Sequence, residues 1–156
     1  MAAPINSPVF DSYAKTLTVL NKAILPGMVF SCIGLFIHLP RHQRCVLSQL
    51  ESRASDQSHE WRAASLDAQV EAVVKKQLVP VCSYPVEKLI PNDPLWLVLD
   101  VPFGDGPLWS FLHRCLADLK LDPPPKEYND LWLDGPTLGE LVERLATLHR
   151  TSRTVD

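Results

Sequence analysis

His38, His42 and Cys45 stand four and three residues apart. On one continuous helix that spacing would place two imidazoles and a thiol on a single face, the arrangement a metal ion uses. Pro40 falls between the two histidines, and an internal proline breaks a helix. No fourth ligand stands nearby, so we read the trio as the basic, polar start of a surface helix, with His42 between Arg41 and Arg44. His113 and Cys115 are two apart, which on a helix points them in different directions, so they are not a nucleophile–base pair. Cys115 falls on an apolar stripe and reads as a small core residue. Gly104-Asp105-Gly106 is too short to cradle a phosphate. Asp93, Asp100, Asp105, Asp118, Asp122, Asp130 and Asp134 are scattered, as caps and solvated turns are. No set of residues adds up to a reaction, and the expectation is a protein that is not an enzyme.

A chain of 156 residues is long enough for one domain with a real core. Its 15 basic and 18 acidic residues leave a net charge of -3, which argues against a nucleic-acid partner. Cys32, Cys45, Cys82 and Cys115 are widely spaced without a C-x-x-C pair, so free thiols in a reducing compartment are expected. The first twenty residues lack a secretory pattern, and a cytoplasmic location is expected.

The elements that must position any site follow from periodicity. Ser7-Pro8 can open a helix with Phe10, Tyr13, Leu17, Leu20 and Ile24 on one face, ended by Pro26-Gly27. Residues 28–37 are the most apolar stretch and fit a buried strand, a buried helix or part of a membrane contact over residues 17–39. Pro40 can start a short helix carrying Val46, Leu47 and Leu50. Residues 52–58 are polar and read as a linker.

Ser65 is the expected N-cap of a helix ending at Leu78, with Leu66, Val70, Val73, Val74 and Leu78 inward. Leu95–Leu99 reads as a short buried strand or a packed loop. Asp105 can cap a helix whose stripe is Leu108, Phe111, Leu112, Cys115, Leu116 and Leu119. Asp122-Pro-Pro-Pro125 stops it. Thr137-Leu-Gly-Glu140 is a capping box opening a helix with Leu138, Leu141, Val142, Leu145 and Leu148 inward.

Helix, long irregular loop, Gly104-Asp105-Gly106-Pro107-Leu108 opening a second helix, and Thr137-Leu-Gly-Glu-Leu141 opening the last together resemble an acyl carrier protein. The resemblance covers about the last 90 residues, the span of one small domain. It implies a four-helix bundle. It also implies a serine after Asp105 that carries a phosphopantetheine arm, and here Gly106 and Pro107 stand in that place. Ser110, about one helical turn on, is the nearest hydroxyl.

The expected fold is therefore mainly α: a carrier-like four-helix bundle over residues 59–150, an N-terminal helical and apolar extension over 1–58, and a disordered tail over 151–156. A compact single-domain α/β fold is the alternative, with 28–37 and 95–101 as strands. The expected function is a non-catalytic protein-binding module (adaptor, inhibitor or immunity-type partner) without a cofactor. Trp109, Asp105 and Trp132 are its interaction candidates, because large aromatics anchor interfaces; the plainer reading of Trp109 and Trp132 is that they pack against each other as lids on the core. The alternatives are a carrier that uses Ser110, and a cytoplasmic domain attached to a membrane through residues 17–39.

Overall fold

The computed structural model describes residues 2–9, 11–13, 15, 38–54, 57–101, 106–123, 125–132 and 134–153. The expectations for Phe10, Leu17, Leu20, Ile24, the stretch 28–37, Asp105 and residues 154–156 lie outside these, as does nearly all of 17–39. Among the described residues no helix is long and apolar enough to cross a membrane.

Residues 8–9 and 11–13 are helical, with the Asp11 amide donating to the Ser7 carbonyl at 3.1 Å, as the Ser7-Pro8 start predicts. α1 runs over Leu39–Glu51 with Pro40 in its first turn, so the proline opens this helix instead of dividing it. Its buried face is His42, Val46 and Leu50. The expected placement of His42 on a surface is wrong. Spacings of four bring it onto the same stripe as Val46 and Leu50, while Leu47 turns outward at 36% exposure.

α2, Ser58–Ala63, buries Trp61, whose indole donates to the Leu89 carbonyl at 2.8 Å. α3 spans Ala68–Leu78. Its N-cap is Asp67 and not Ser65: the Asp67 carboxylate accepts from the Gln69 amide at 3.0 Å and the Val70 amide at 3.1 Å. Ser65 is in the left-handed region at φ 53°, within the turn that leads to the cap. Val70, Val74 and Leu78 are buried as expected, while Leu66 and Val73 are half-buried.

A 3₁₀ turn over Val86–Lys88 interrupts the irregular stretch that follows. Leu95–Val98 is α4, a single helical turn and not a strand. Pro94 sets the entry, and the Val98 and Leu99 amides close back on the Pro94 and Leu95 carbonyls at 3.2 and 3.0 Å. An unbroken apolar run fits an enclosed helical turn as well as a strand, which is why sequence alone leaves the two open. The described residues contain no strand, only one isolated bridge between Pro94 and Thr137. The protein is mainly α, and residues 95–101 do not form the strand that the α/β alternative places there.

α5, Gly106–Leu119, buries every residue of its expected stripe. It ends in a Schellman motif: the Leu121 amide reaches the Leu116 carbonyl at 2.9 Å and the Lys120 amide the Ala117 carbonyl at 3.1 Å. Lys120 holds the left-handed position at φ 55° that glycine usually takes. α6 is short, Pro125–Asp130, and α7 spans Leu138–Arg153, three residues beyond the expected end at Arg150.

The capping box of α7 forms as expected. The Thr137 amide donates to Glu140 Oε2 at 2.7 Å and the Glu140 amide to Thr137 Oγ1 at 3.3 Å. The next two amides, of Leu138 and Gly139, donate to the Asp93 and Pro91 carbonyls at 2.9 and 2.8 Å. The approach is close: a Cβ on residue 139 would stand 3.0 Å from Pro91 Cβ and 3.2 Å from the Pro91 carbonyl oxygen, so Pro91 would have to give way. α3 packs against both α5 and α7. One hydrophobic cluster takes in Ile5, Val46 and Leu50 together with Val70, Phe111 and Leu141, so a single core spans residue 58.

Candidate functional site

The first turn of α5 brings Trp109 to the edge of the buried stripe, where it remains half-buried. Tyr128 of α6 stacks on it with ring centroids 5.8 Å apart and planes 14° apart. Trp132 meets the same indole edge-on at 5.3 Å and 77°. His113, one turn further along α5, lies 5.6 Å from the Tyr128 ring. Such pairs are favourable beyond the area they bury. Of the expected candidates, the structure brings Trp109 and Trp132 together. Asp105 lies outside the described residues.

Tyr128 is the member that sequence reasoning missed. The signal was a third large aromatic close before Trp132 in the chain; both rings meet Trp109. Tyr128 Oη and Trp132 Nε1 are both buried and make no hydrogen bond, and burial pushes the Tyr128 hydroxyl above its ordinary pKa. Ser110, the residue after Trp109, is half-buried on α5.

A second constellation lies at the C-terminal end of α4. Fully buried His42 meets Ser7 Oγ through Nδ1 at 2.8 Å, while its Nε2 is 2.9 Å from Asp100 Oδ1 and 3.3 Å from the Leu97 carbonyl. Both neighbours of Nε2 are acceptors, so Nε2 carries a proton. Asp100 also accepts from Tyr84 Oη at 2.6 Å and Gln43 Nε2 at 2.9 Å. Burial and then the Asp100 charge hold the Tyr84 hydroxyl far above its ordinary pKa. Serine, histidine and aspartate thus form a chain, but Ser7 is 1% exposed, which leaves its hydroxyl no approach for a substrate. The chain ties residue 7 and α1 to the turn after α4.

The other candidates have structural surroundings. His38 lies 5.6 Å from the Tyr13 ring, and among the described residues no three ligand-type side chains converge on a metal position. Cys115 is fully buried and its thiol is pushed up to about 12. The Cys82 thiol, also pushed up to about 12 by burial, donates to the Val98 carbonyl and accepts from the Tyr84 amide. Thiols so raised are poor nucleophiles at neutral pH. Asp93 is a buried hub, whose carboxylate accepts from Arg53 and from the Ile5 and Ile90 amides.

The chain matches no protein-family model, no curated protein sequence and no solved structure.

Proposed function

We propose that this protein is a non-catalytic protein-binding module on a degenerate carrier-like scaffold, and that it engages its partner through the face around Trp109. One observation carries the reading. Where a carrier would present an arm-bearing serine, α5 presents Trp109 between Tyr128 and Trp132, with Gly106 and Pro107 before it. Half-buried aromatics on a packed platform are the anchors that interfaces use. The order of α3, an irregular loop, α5, short α6 and capped α7 supports the scaffold half of the reading. The raised thiols and the buried Ser7 support its non-catalytic half.

The test starts from protein purified from its native host. Its intact mass equals the chain mass, and a co-purifying protein is retained by the wild type and lost from a folded Trp109→Ala variant. A mass higher by one pantetheine arm, lost in Ser110→Ala, makes the protein a carrier and overturns the reading.

A further inference from the structure

Residues 2–7 cross the surface without helix or strand, and their backbone is held by side chains from α1, the turn after it, α2 and the turn before α4. The Ala2 amide donates to Glu60 Oε1 at 2.7 Å, and the Ala3 carbonyl accepts from Arg53 Nη2. The Ile5 amide donates to Asp93 Oδ1 at 3.0 Å. Gln49 takes Asn6 at both ends: its Oε1 accepts from the amide at 3.0 Å and its Nε2 donates to the carbonyl at 2.7 Å. This two-point grip of a carboxamide on the N–H and C=O of one residue reads the backbone whatever the side chain. Burial alternates, with Ile5 at 2% and Ser7 at 1% beneath and Asn6 exposed between them, the period of an extended chain. A cleft of about 440 Å³ lies between Ala2–Pro4 and residues such as Gln49, Ser52, Gln57 and His59.

We infer that the bed beneath residues 2–7, formed by Gln49, Arg53, Glu60 and Asp93, is a receptor groove for an extended peptide with an apolar residue two before a serine, and that residues 2–7 fill it in cis. The backbone is gripped by side chains that belong to the folded body, so the groove persists when the strap leaves. Specificity comes from two positions. The apolar side chain enters the same hydrophobic cluster as Val46 and Leu50, and the serine hydroxyl meets His42 Nδ1 at 2.8 Å. A tethered occupant competes at an effective concentration of order millimolar, so an outside peptide enters only when the strap is weakened. This inference rests on residues other than those around Trp109 and stands independently of that reading.

The experiment uses the full chain with Ile5→Asp, which puts a charge where the apolar side chain sits and leaves every groove residue in place. The probe is a fluorescent synthetic peptide of residues 1–9. Saturable binding to Ile5→Asp is expected, with binding to the wild type about 100-fold weaker because of cis competition. Adding Gln49→Ala weakens the peptide about ten-fold, and a peptide with aspartate at position 5 does not bind. A wild-type chain that dimerises on concentration, with the dimer abolished by Ile5→Asp, supports the groove with a second copy as its occupant. A folded Ile5→Asp chain that binds no peptide, or binds it equally with and without Gln49, overturns the inference. If Ile5→Asp does not fold, hydrogen exchange of the wild type decides. Ile5 and Asn6 amides that exchange far faster than Val74 show a detachable strap, and equal protection overturns it.

Discussion

Arg53 and Asp93 face each other as a two-point ion pair, each guanidinium nitrogen 2.7 Å from a carboxylate oxygen, with side chains only 6% and 0% exposed. The pair joins the end of α1 to the turn that receives the start of α7. Asp93 also takes the Ile5 and Ile90 amides, at 3.0 and 2.9 Å, so one carboxylate satisfies donors from three parts of the chain. Removing it leaves two amides without an acceptor in a dry place and leaves Arg53 only the Lys88 and Ala3 carbonyls, with no counter-charge. We expect Asp93→Ala to cost about 3–5 kcal/mol, read by chemical denaturation. A cost below about 1 kcal/mol would mean that water replaces the carboxylate freely.

Lys120 points to a change of the opposite sign. It holds the left-handed position of the Schellman motif that ends α5, at φ 55°, where a side chain is disfavoured by roughly 1 kcal/mol. Lys120→Gly should raise stability by about 0.5–1 kcal/mol, seen as a higher melting temperature with unchanged helix content. A lower melting temperature would show that the lysine side chain makes a compensating contact.

Acid should act through Asp118. Hydrogen bonds from Lys76 Nζ at 2.8 Å and Gln77 Nε2 at 2.7 Å hold its carboxyl below the usual carboxylate range. A group depressed in the folded state contributes stability above its unfolded pKa, and that contribution is lost as pH falls through the folded value. Thermal melts of wild type and Asp118→Asn should therefore differ at neutral pH and converge in acid. A gap that stays constant down to low pH would contradict the assignment.

Thiol labelling reports on the core directly. Cys82 and Cys115 are pushed up to about 12 by burial, whereas Cys45 is half-buried on α1. Treatment of the folded protein at pH 8 with a disulfide reagent should modify Cys45 well before Cys82 or Cys115, as peptide mapping would show. Rapid labelling of Cys115 would mean that the contact of α5 with α3 opens easily.

Where a side chain's own period decided its place, the sequence was legible. The α5 stripe and the Thr137–Glu140 box repeat at helical spacing and were found where expected, because burying an apolar stripe and satisfying terminal amides leave few other arrangements. Leu95–Leu99 was ambiguous because every residue is apolar, so nothing in its pattern separates period two from period 3.6. His42 was misplaced because a polar ring on an inward stripe depends on partners far along the chain. Asp100 and Ser7 lie 58 and 35 residues away, and no local pattern announces them. Asp67 outcompeted Ser65 because the geometry of the preceding turn, which composition does not reveal, decides which oxygen reaches the first amides. At the candidate site Trp109 and Trp132 were visible as large aromatics. Their direct contact, and the stacking of Tyr128 on Trp109, depend on how α6 folds back after the proline run.

The opening of α7 has an electrostatic consequence. The amides of Thr137, Leu138, Gly139 and Glu140 are all taken, by Glu140, Asp93, Pro91 and Thr137 in turn. A helix attracts phosphate or sulfate when amides such as these point outward unclaimed. Here the positive end of the longest described helix is neutralised from within, partly by the carboxylate of Glu140. A negatively charged partner gains no hold there and would have to draw on side-chain cations elsewhere on the surface.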